Sequence, residues 1–381
     1  MTDALHAQMT EWRRRLHRNP EFGFEERETA AFVAEKLRSF GIEDIAEGVG
    51  GTGVVATLRA GTGNRAIALR ADMDALRIEE AVARPYQSEK PGLMHACGHD
   101  GHTTMLLGAA KRLAEEQGFD GTVRLIFQPA EEWGQGMQAM LDDGLLKKFP
   151  VEEAYGLHNM PGLPVGAFAT RAGAFMGAED NFEIRLKGLG GHSSRPHEGQ
   201  DALVAACAVV MALQTVVSRA TDPAELAVLS VTELLTDGTR NAIAGSAQIL
   251  GDVRSFSGAV SQRVEAAMRR IAEGAAAAHG CAVEVQYDRV FIPTVNDADA
   301  TAAALEAAAA IAEGPVDGAA ARIGASEDFA QLLEHVSGNF MLLGNGDSAP
   351  LHNPSYDFND DALPHGVRYF VELVRRRLPA A

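Results

Sequence analysis

Residues 121–132 read GTVRLIFQPAEE. The apolar run from Val123 to Phe127 has the length of a buried strand, and polar residues follow it at once. Two other stretches repeat this arrangement, AIALRADMD at residues 66–74 and AYGLHNM at residues 154–160. Helical patterns separate such strands, as in the amphipathic segment 25–40. Strands that alternate with helices predict an α/β fold with a mostly parallel sheet, and ligands bind such sheets beyond the carboxyl ends of the strands.

The pattern changes near residue 178. NFEIRLK at residues 181–187 alternates polar and apolar residues, as a half-buried strand does. The elements that follow have the order β-α-β-β-α-β, which is typical of a ferredoxin-like α+β unit. Beyond this unit the alternation of helices and strands returns. We therefore predict an inserted domain of residues 179–290 and a larger domain that comprises residues 1–178 and 291–381.

Composition excludes several classes of partner. The 381 residues carry a formal net charge of −18, which argues against nucleic acid or an anionic membrane as a partner. Three widely spaced cysteines do not form a disulfide framework, and they fit a reducing compartment. The first twenty residues lack the apolar core of a signal peptide. The longest apolar stretch, residues 202–217, is shorter than a membrane span, so we predict a buried helix there and a cytoplasmic protein.

The densest group of metal-binding side chains lies in MHACGHDGH at residues 94–102. Four histidine and cysteine residues occur within eight positions. A single histidine is more often structural than a ligand, but such a cluster has few structural explanations. A thiolate and an imidazole two residues apart, as in Cys97 and His99, can point at one ion from a turn that contains Gly98.

QPAEE places Glu131 and Glu132 at the end of a strand. Adjacent carboxylates repel each other, so a metal charge is needed to keep both ionised. One carboxylate can then bind metal while the other takes a proton from water. No GxSxG motif is present, so we expect no covalent nucleophile.

Two further histidines follow strands or lie near the end of the chain, His158 in GLHNMPG and His352 in LHNPSYDFND. They complete a set of five candidate ligands: Cys97, His99, Glu132, His158 and His352. Five ligands exceed the needs of one tetrahedral ion and suit two divalent ions about 3.5–4 Å apart. Mixed thiolate, imidazole and carboxylate ligands are compatible with manganese, zinc, cobalt or nickel.

Eight stretches occur along the chain in this order: LHRNPEFGFEE, RADMDAL, MHACGHDGH, QPAEE, GLHN, GGHSSRPH, NAIAG and LHNPSYDFND. Together they resemble the amidohydrolase branch of metallopeptidase family 20, which includes hippurate hydrolases, auxin–amino-acid conjugate hydrolases and other N-acyl-amino-acid deacylases. The resemblance implies a catalytic α/β domain with an inserted lid domain that mediates dimerisation. It also implies an N-acyl amino acid substrate, the five ligands above, and Glu131 as the general base.

The resemblance implies roles for three residues of the inserted domain. His192 in GGHSSRPH is expected to stabilise the oxyanion, which in related enzymes it does from the neighbouring subunit. Asn241 and Arg254 are expected to contact substrate, and an arginine can hold a carboxylate with two hydrogen bonds. Arg254 could equally be a surface charge at a strand end.

At residues 70–72 this sequence departs from relatives of the aminopeptidase and carboxypeptidase type. It has Arg70-Ala71-Asp72 where those relatives have a His-x-Asp ligand pair. Arginine cannot bind a metal, so we expect Asp72 to orient a ligand instead. Asp100, next to His99, is expected to do the same.

The same site would also serve a dipeptidase or carboxypeptidase, or a relative that binds a ligand without catalysis. The intact Glu131 favours an enzyme, because a binder needs no base.

Overall fold

The computed structural model describes residues 3–380. Its α-helices are α1 Asp3–Arg18, α2 Arg27–Ser39, α3 His99–Glu116, α4 Gly136–Asp142, α5 Leu145–Lys148, α6 Ala202–Thr215, α7 Gly258–Ala278, α8 Ala298–Ile311, α9 Ala330–Leu333 and α10 Leu363–Arg377. Its strands are β1 Ile45–Val49, β2 Gly53–Ala60, β3 Ala66–Asp72, β4 Gly121–Gln128, β5 Glu153–Met160, β6 Phe168–Ala169, β7 Gly173–Met176, β8 Ala178–Lys187, β9 Gly191–His192, β10 Ala227–Thr236, β11 Ala242–Ile243, β12 Ser246–Ser255, β13 Ala282–Phe291, β14 Thr294–Asn296, β15 Val316–Asp317 and β16 Ser337–Gly344.

The first of two compact units comprises Met1–Phe175, Val295–Ala321 and Asp328–Ala381. It contains an eight-stranded sheet with the order β1-β2-β4-β3-β5-β16-β6-β15. The four central strands, β4, β3, β5 and β16, run parallel. At one edge β1 and β2 are antiparallel. The prediction of an α/β fold with a mostly parallel sheet is confirmed.

The central strands of this sheet are buried along most of their length, and polar residues follow where the strands end. Every residue of β4 is buried, and α3, α8 and α10 pack together in the same apolar core. Asp72 at the end of β3 lies opposite Gln128 at the end of β4. The next polar residues on both strands therefore leave the sheet at the same edge.

The second unit comprises Met176–Thr294 and Arg322–Glu327. Its four-stranded antiparallel sheet has the order β10-β12-β8-β13, with α6 and α7 packed against it. This is the ferredoxin-like arrangement expected for the insert. Residues 322–327 also belong to this unit, because Gly177 N donates hydrogen bonds to Ile323 O and Ala325 O. The boundaries that the sequence predicts for the inserted domain, residues 179–290, stay a prediction.

The stretch after the Glu131–Glu132 pair forms two short helices in place of a continuous one, because α4 ends at Asp142 and α5 begins at Leu145. Gly144 between them has a φ of +84°, which is left-handed and ends an α-helix.

The apolar stretch after Asp201 forms α6 and continues as a π-helical turn to Ala220. Val209 and Leu213 lie in the core of the second unit. The opposite face of α6 is exposed, and Met211 on it is 71% exposed. The prediction of a buried helix is therefore wrong for that face. A run that is apolar on all sides has no amphipathic pattern, so the sequence did not reveal the exposed face. The expectation that this apolar stretch is shorter than a membrane span is wrong, because the helical stretch Ala202–Ala220 is long and apolar enough to cross a membrane by length and composition alone. Of its apolar window, 33% is buried.

Candidate metal centre

The five candidate ligands converge in the first unit. Cys97 and His99 lie at the start of α3, Glu132 lies in the 3-10 turn after β4, His158 lies on β5, and His352 follows β16. Their ligand atoms form two groups, Cys97–His99–His158 and Cys97–Glu132–His352, each within 4.8 Å. Cys97 Sγ lies 3.4 Å from His158 Nε2, and His352 Nε2 lies 3.4 Å from Glu132 Oε1. Two groups that share one thiol are the arrangement expected for a pair of ions.

Two of the imidazoles are oriented for metal binding. His99 Nδ1 lies 3.2 Å from Asp74 Oδ1, and His158 Nδ1 lies 2.6 Å from Asn159 O. With the hydrogen on Nδ1, each ring presents the lone pair of Nε2. His99 Nε2 is buried and has no hydrogen-bond partner. A buried polar atom left unpaired costs about 1–3 kcal/mol, so this nitrogen fits a cation.

Asp74, which sequence analysis did not single out, holds two candidate ligands. Its Oδ1 accepts from the His99 ring, and its Oδ2 accepts from Glu132 N at 3.0 Å. The signal was present in RADMD, where Asp74 follows Asp72 by two positions. Residues two apart in an extended chain face the same side.

Gly98 between the first two ligands is required by its conformation and its surroundings. Its φ is +88°, and a Cβ there would lie 2.3 Å from Asn159 Nδ2 and 2.5 Å from Tyr356 Oη. Asn159 Nδ2 donates to Cys97 O at 2.6 Å, and Tyr356 Oη donates to Asn159 Oδ1 at 2.7 Å. Asn159 and Tyr356 therefore fix the main chain of Cys97, and neither was identified as a site residue from sequence.

Asp72 is fully buried, and both of its oxygens are engaged. Oδ1 accepts from His102 Nδ1 at 2.7 Å, and Oδ2 accepts from Arg70 at 2.7 Å and lies 3.9 Å from His99 Nε2. Burial opposes ionisation, but electrostatic interactions with His99, His102 and Arg70 outweigh it and hold the pKa of Asp72 well below its usual range. His102 Nε2 in turn accepts from the backbone N–H of Asn159, next to a candidate ligand. Asp72, His99 and His102 also have ligand atoms within 4.8 Å of one another, and the expectation that Asp72 orients a ligand stays a prediction.

Asp100 does not contact a candidate ligand through its side chain in the described part of the chain. It accepts from His17 Nδ1 at 2.8 Å and lies 3.7 Å from Arg13. Successive residues on a helix point about 100° apart, so Asp100 faces away from His99. Burial opposes protonation of His17, but hydrogen bonds to Asp100 and Glu80 outweigh it and raise the pKa of His17 to about 9.

The thiol of Cys97 needs a cation to ionise. Burial raises its pKa well above its usual value, and the charges of Glu132 and Glu131 add to the effect. A bound divalent ion reverses this balance and keeps a coordinating thiol deprotonated. The donor set of this site therefore fits a metal centre.

Two residues of the site adopt a left-handed backbone without being glycine. Ala130, just before Glu131, has a φ of 47°, and His352 has a φ of 61°. Such residues cost about 1–3 kcal/mol each and cluster at functional sites. His352 N donates to Ala96 O at 2.8 Å, which ties the loop to the residue before Cys97.

The three remaining candidates lie in the second unit. His192 on β9 pairs with Ala242 on β11, and Ser193 N donates to Asn241 O, so His192 and Asn241 are neighbours. Arg254 on β12 forms ion pairs with Glu179 and Asp252, each at 2.7 Å.

Candidate ligands for two ions beside a further carboxylate, gathered beyond the carboxyl ends of parallel strands, are typical of a metal-dependent hydrolase. The chain belongs to peptidase family M20/M25/M40, whose model matches residues 68–376.

The relatives support this assignment over the full length of the chain. A hippurate hydrolase of Campylobacter jejuni is 39% identical over 98% of this chain and 97% of its own. An N-acetyl-L-cysteine deacetylase of Bacillus subtilis is 37% identical over 98% of this chain and 89% of its own. A solved Bacillus subtilis structure, described as a dinuclear metal binding peptidase from the M20 family, has a TM-score of 0.87, 34% identity and full coverage of both chains.

Proposed function

We propose that the protein cleaves the amide bond of N-acyl amino acids, hippurate-like or N-acetylated, to a carboxylic acid and a free amino acid. The observation that carries this proposal is the pair of ligand groups that share Cys97, with Glu131 Oε2 only 3.8 Å from His99 Nε2. The hippurate hydrolase and the deacetylase among the relatives suggest the substrate class.

Two divalent ions, manganese or zinc with cobalt or nickel as compatible alternatives, would be held by Cys97, His99, Glu132, His158 and His352. When bound, such ions polarise a carbonyl and lower the pKa of water to about 7. Glu131 accepts the proton of the attacking water and passes it to the leaving amine.

His192 is the proposed donor to the oxyanion. Its Nδ1 accepts from Ser194 N at 3.1 Å, which leaves the hydrogen on Nε2 for donation. Loss of one such donor typically costs about 2.7–4 kcal/mol of barrier. Asn241 and Arg254 are the proposed substrate contacts. Because Arg254 already pairs with two carboxylates, a substrate carboxylate would have to compete with Glu179 and Asp252.

We also propose that the enzyme is a homodimer, or a higher homo-oligomer, through its inserted domain. Strand β10 lies at the edge of its sheet, and Val228 and Leu235 on it are exposed, as are Leu203 and Met211 on α6. An unpaired edge strand and an exposed apolar surface are both stabilised when a second copy covers them. The net charge of −18 and three free cysteines support a cytoplasmic enzyme with neither nucleic acid nor membrane as its partner.

The test is hydrolysis of N-benzoylglycine, N-acetylcysteine and glycine- or alanine-containing dipeptides by protein of known metal content. We expect turnover of the acylated amino acids that a chelator abolishes and added manganese or zinc restores. Turnover of the dipeptides alone would favour the dipeptidase or carboxypeptidase alternative. No turnover on any substrate, with two metals bound, would favour a binding protein.

A further inference from the structure

The N-terminal stretch PEFGFEE contains a buried carboxylate with no role in the proposed chemistry. Glu26 is 0% exposed, and it occupies the N-cap position of α2. A carboxylate at this position usually accepts hydrogen bonds from the first N–H groups of its helix. Here Glu21 accepts those bonds, from Glu28 N at 3.2 Å and Thr29 N at 2.8 Å. The side chain of Glu26 makes no capping bond and is used elsewhere.

Glu26 instead contacts the turn that carries the proposed base, residues 129–136, which we call the Glu131 turn. Its Oε1 accepts from Ala130 N at 2.8 Å, and its Oε2 accepts from Thr52 Oγ1 at 2.6 Å. Ala130 is the left-handed residue directly before Glu131, with φ 47° and ψ 42°. The hydrogen bond that Ala130 N donates to Glu26 therefore acts on the strained residue directly before Glu131.

Other contacts hold the carbonyl groups and the side chain of the Glu131 turn, whereas Glu26 holds the amide of Ala130. Ala130 O accepts from Gly136 N at 3.2 Å, and Glu131 O accepts from Gly134 N at 2.8 Å. A Cβ on Gly23 would lie 3.0 Å from the Cβ of Ala130, so the N-terminal stretch packs directly against it. An alanine in the left-handed region costs about 1–3 kcal/mol and persists only where its surroundings hold it.

We propose that Glu26 is a positioning residue for the general base: it holds Ala130 in the left-handed conformation that directs Glu131 into the site. This inference rests on the proposed function only for the role of Glu131. Burial raises the pKa of the Glu26 carboxyl to about 7, despite the hydrogen bond from Thr52. Both oxygens of Glu26 accept hydrogen bonds from uncharged donors, so its task is to present acceptors at the right distance rather than to pair with a cation.

Three substitutions test whether the Glu131 turn depends on the position of the hydrogen-bond acceptor at residue 26 or on the charge of the carboxylate. Glu26→Gln keeps an oxygen for Ala130 N, and its amide can donate to Thr52 once that hydroxyl turns. Glu26→Asp keeps the charge but is one methylene too short, and Glu26→Ala removes the acceptor. We expect Glu26→Gln to retain kcat within about threefold. Glu26→Asp and Glu26→Ala should lower kcat by about 10- to 100-fold, because a misplacement near 1 Å can cost that much. Asp74 holds the backbone N–H of the ligand Glu132 independently of Glu26, so the content of two metals should not change, and neither should KM.

The control is Glu25→Gln, at an exposed neighbouring position, which should match wild type. Amide hydrogen exchange over residues 129–136, measured without substrate, should rise for Glu26→Asp and Glu26→Ala and stay at the wild-type level for Glu26→Gln. If Glu26→Ala fails to fold, the opposite behaviour of Glu26→Asp and Glu26→Gln still decides whether the acceptor distance matters. An active Glu26→Asp with an inactive Glu26→Gln, or unchanged kcat and exchange in Glu26→Ala, would overturn the proposal. A wild-type protein without turnover would refute the proposed function, and the exchange data would still decide whether Glu26 holds the turn.

Discussion

Replacing Gly98 by alanine should weaken metal binding by a mechanism that can be read from the structure. The left-handed backbone at φ +88° costs alanine about 1–2 kcal/mol. The new methyl group would lie 2.3 Å from Asn159 Nδ2, so this side chain must move and release Cys97 O. A buried group left without its partner costs a further 1–3 kcal/mol or so. The loss of stability totals about 2–5 kcal/mol. Only the part that acts on the Cys97 main chain, about 1–3 kcal/mol, affects metal binding, and it corresponds to an affinity loss of roughly 5- to 150-fold for the ions near Cys97.

The chain offers a matched control in Gly92, which has a φ of +75° and open space where an alanine methyl group would lie, with no atom within 4 Å beyond its chain neighbours. Gly92→Ala should lose the same 1–2 kcal/mol or so of backbone energy and bind metal normally. Metal affinity is measured by competition with a chelator, and stability by thermal unfolding of the metal-free protein. A Gly98→Ala variant that binds two ions with wild-type affinity would refute the role given to Asn159 and the Cys97 main chain.

Three further predictions concern the base, a ligand-orienting carboxylate and the buried ion network. Glu131→Gln should retain two metals and lose about 10²–10⁴-fold in kcat, and near-normal turnover would remove Glu131 as the base. Asp74→Asn should lower metal affinity by about 10–100-fold, as titration of the metal-free protein would show; unchanged affinity would mean that His99 needs no such partner. The folded-state pKa of His17, about 9, lies above its unfolded value, so its contribution of about 3 kcal/mol is complete below pH 6.5 and is lost as the pH rises through 9. The difference in melting temperature between metal-free wild type and His17→Asn should therefore shrink from pH 6 to pH 9.5, and a constant difference would contradict the raised pKa.

Local patterns were sufficient to predict the fold class and the set of candidate ligands. The alternation of buried strands with helices is visible over short windows, and Cys97 and His99 lie close together in the sequence. The amphipathic segment 25–40 contains helix α2, with Phe32 and Leu37 in the core. These features depend on residue type and spacing alone.

The supporting contacts of the site were not visible in the sequence, because they join residues far apart along the chain. Tyr356 binds Asn159 across 197 positions, and Glu26 binds Ala130 across 104. The sequence predicted that Asp100 orients His99 because the two residues are adjacent. In the helix, however, successive side chains point in different directions, and Asp100 contacts His17 instead. Tertiary packing, rather than any local pattern, decides such contacts.

The central claim is that this chain holds two cations in one cage next to Glu131. Crystals of the metal-loaded protein, measured at the absorption edge of the bound metal, test it most directly through anomalous scattering. We predict two peaks about 3.5–4 Å apart, with Cys97 Sγ and the other four ligand side chains around them. A single peak, or peaks bound by other residues, would contradict the claim.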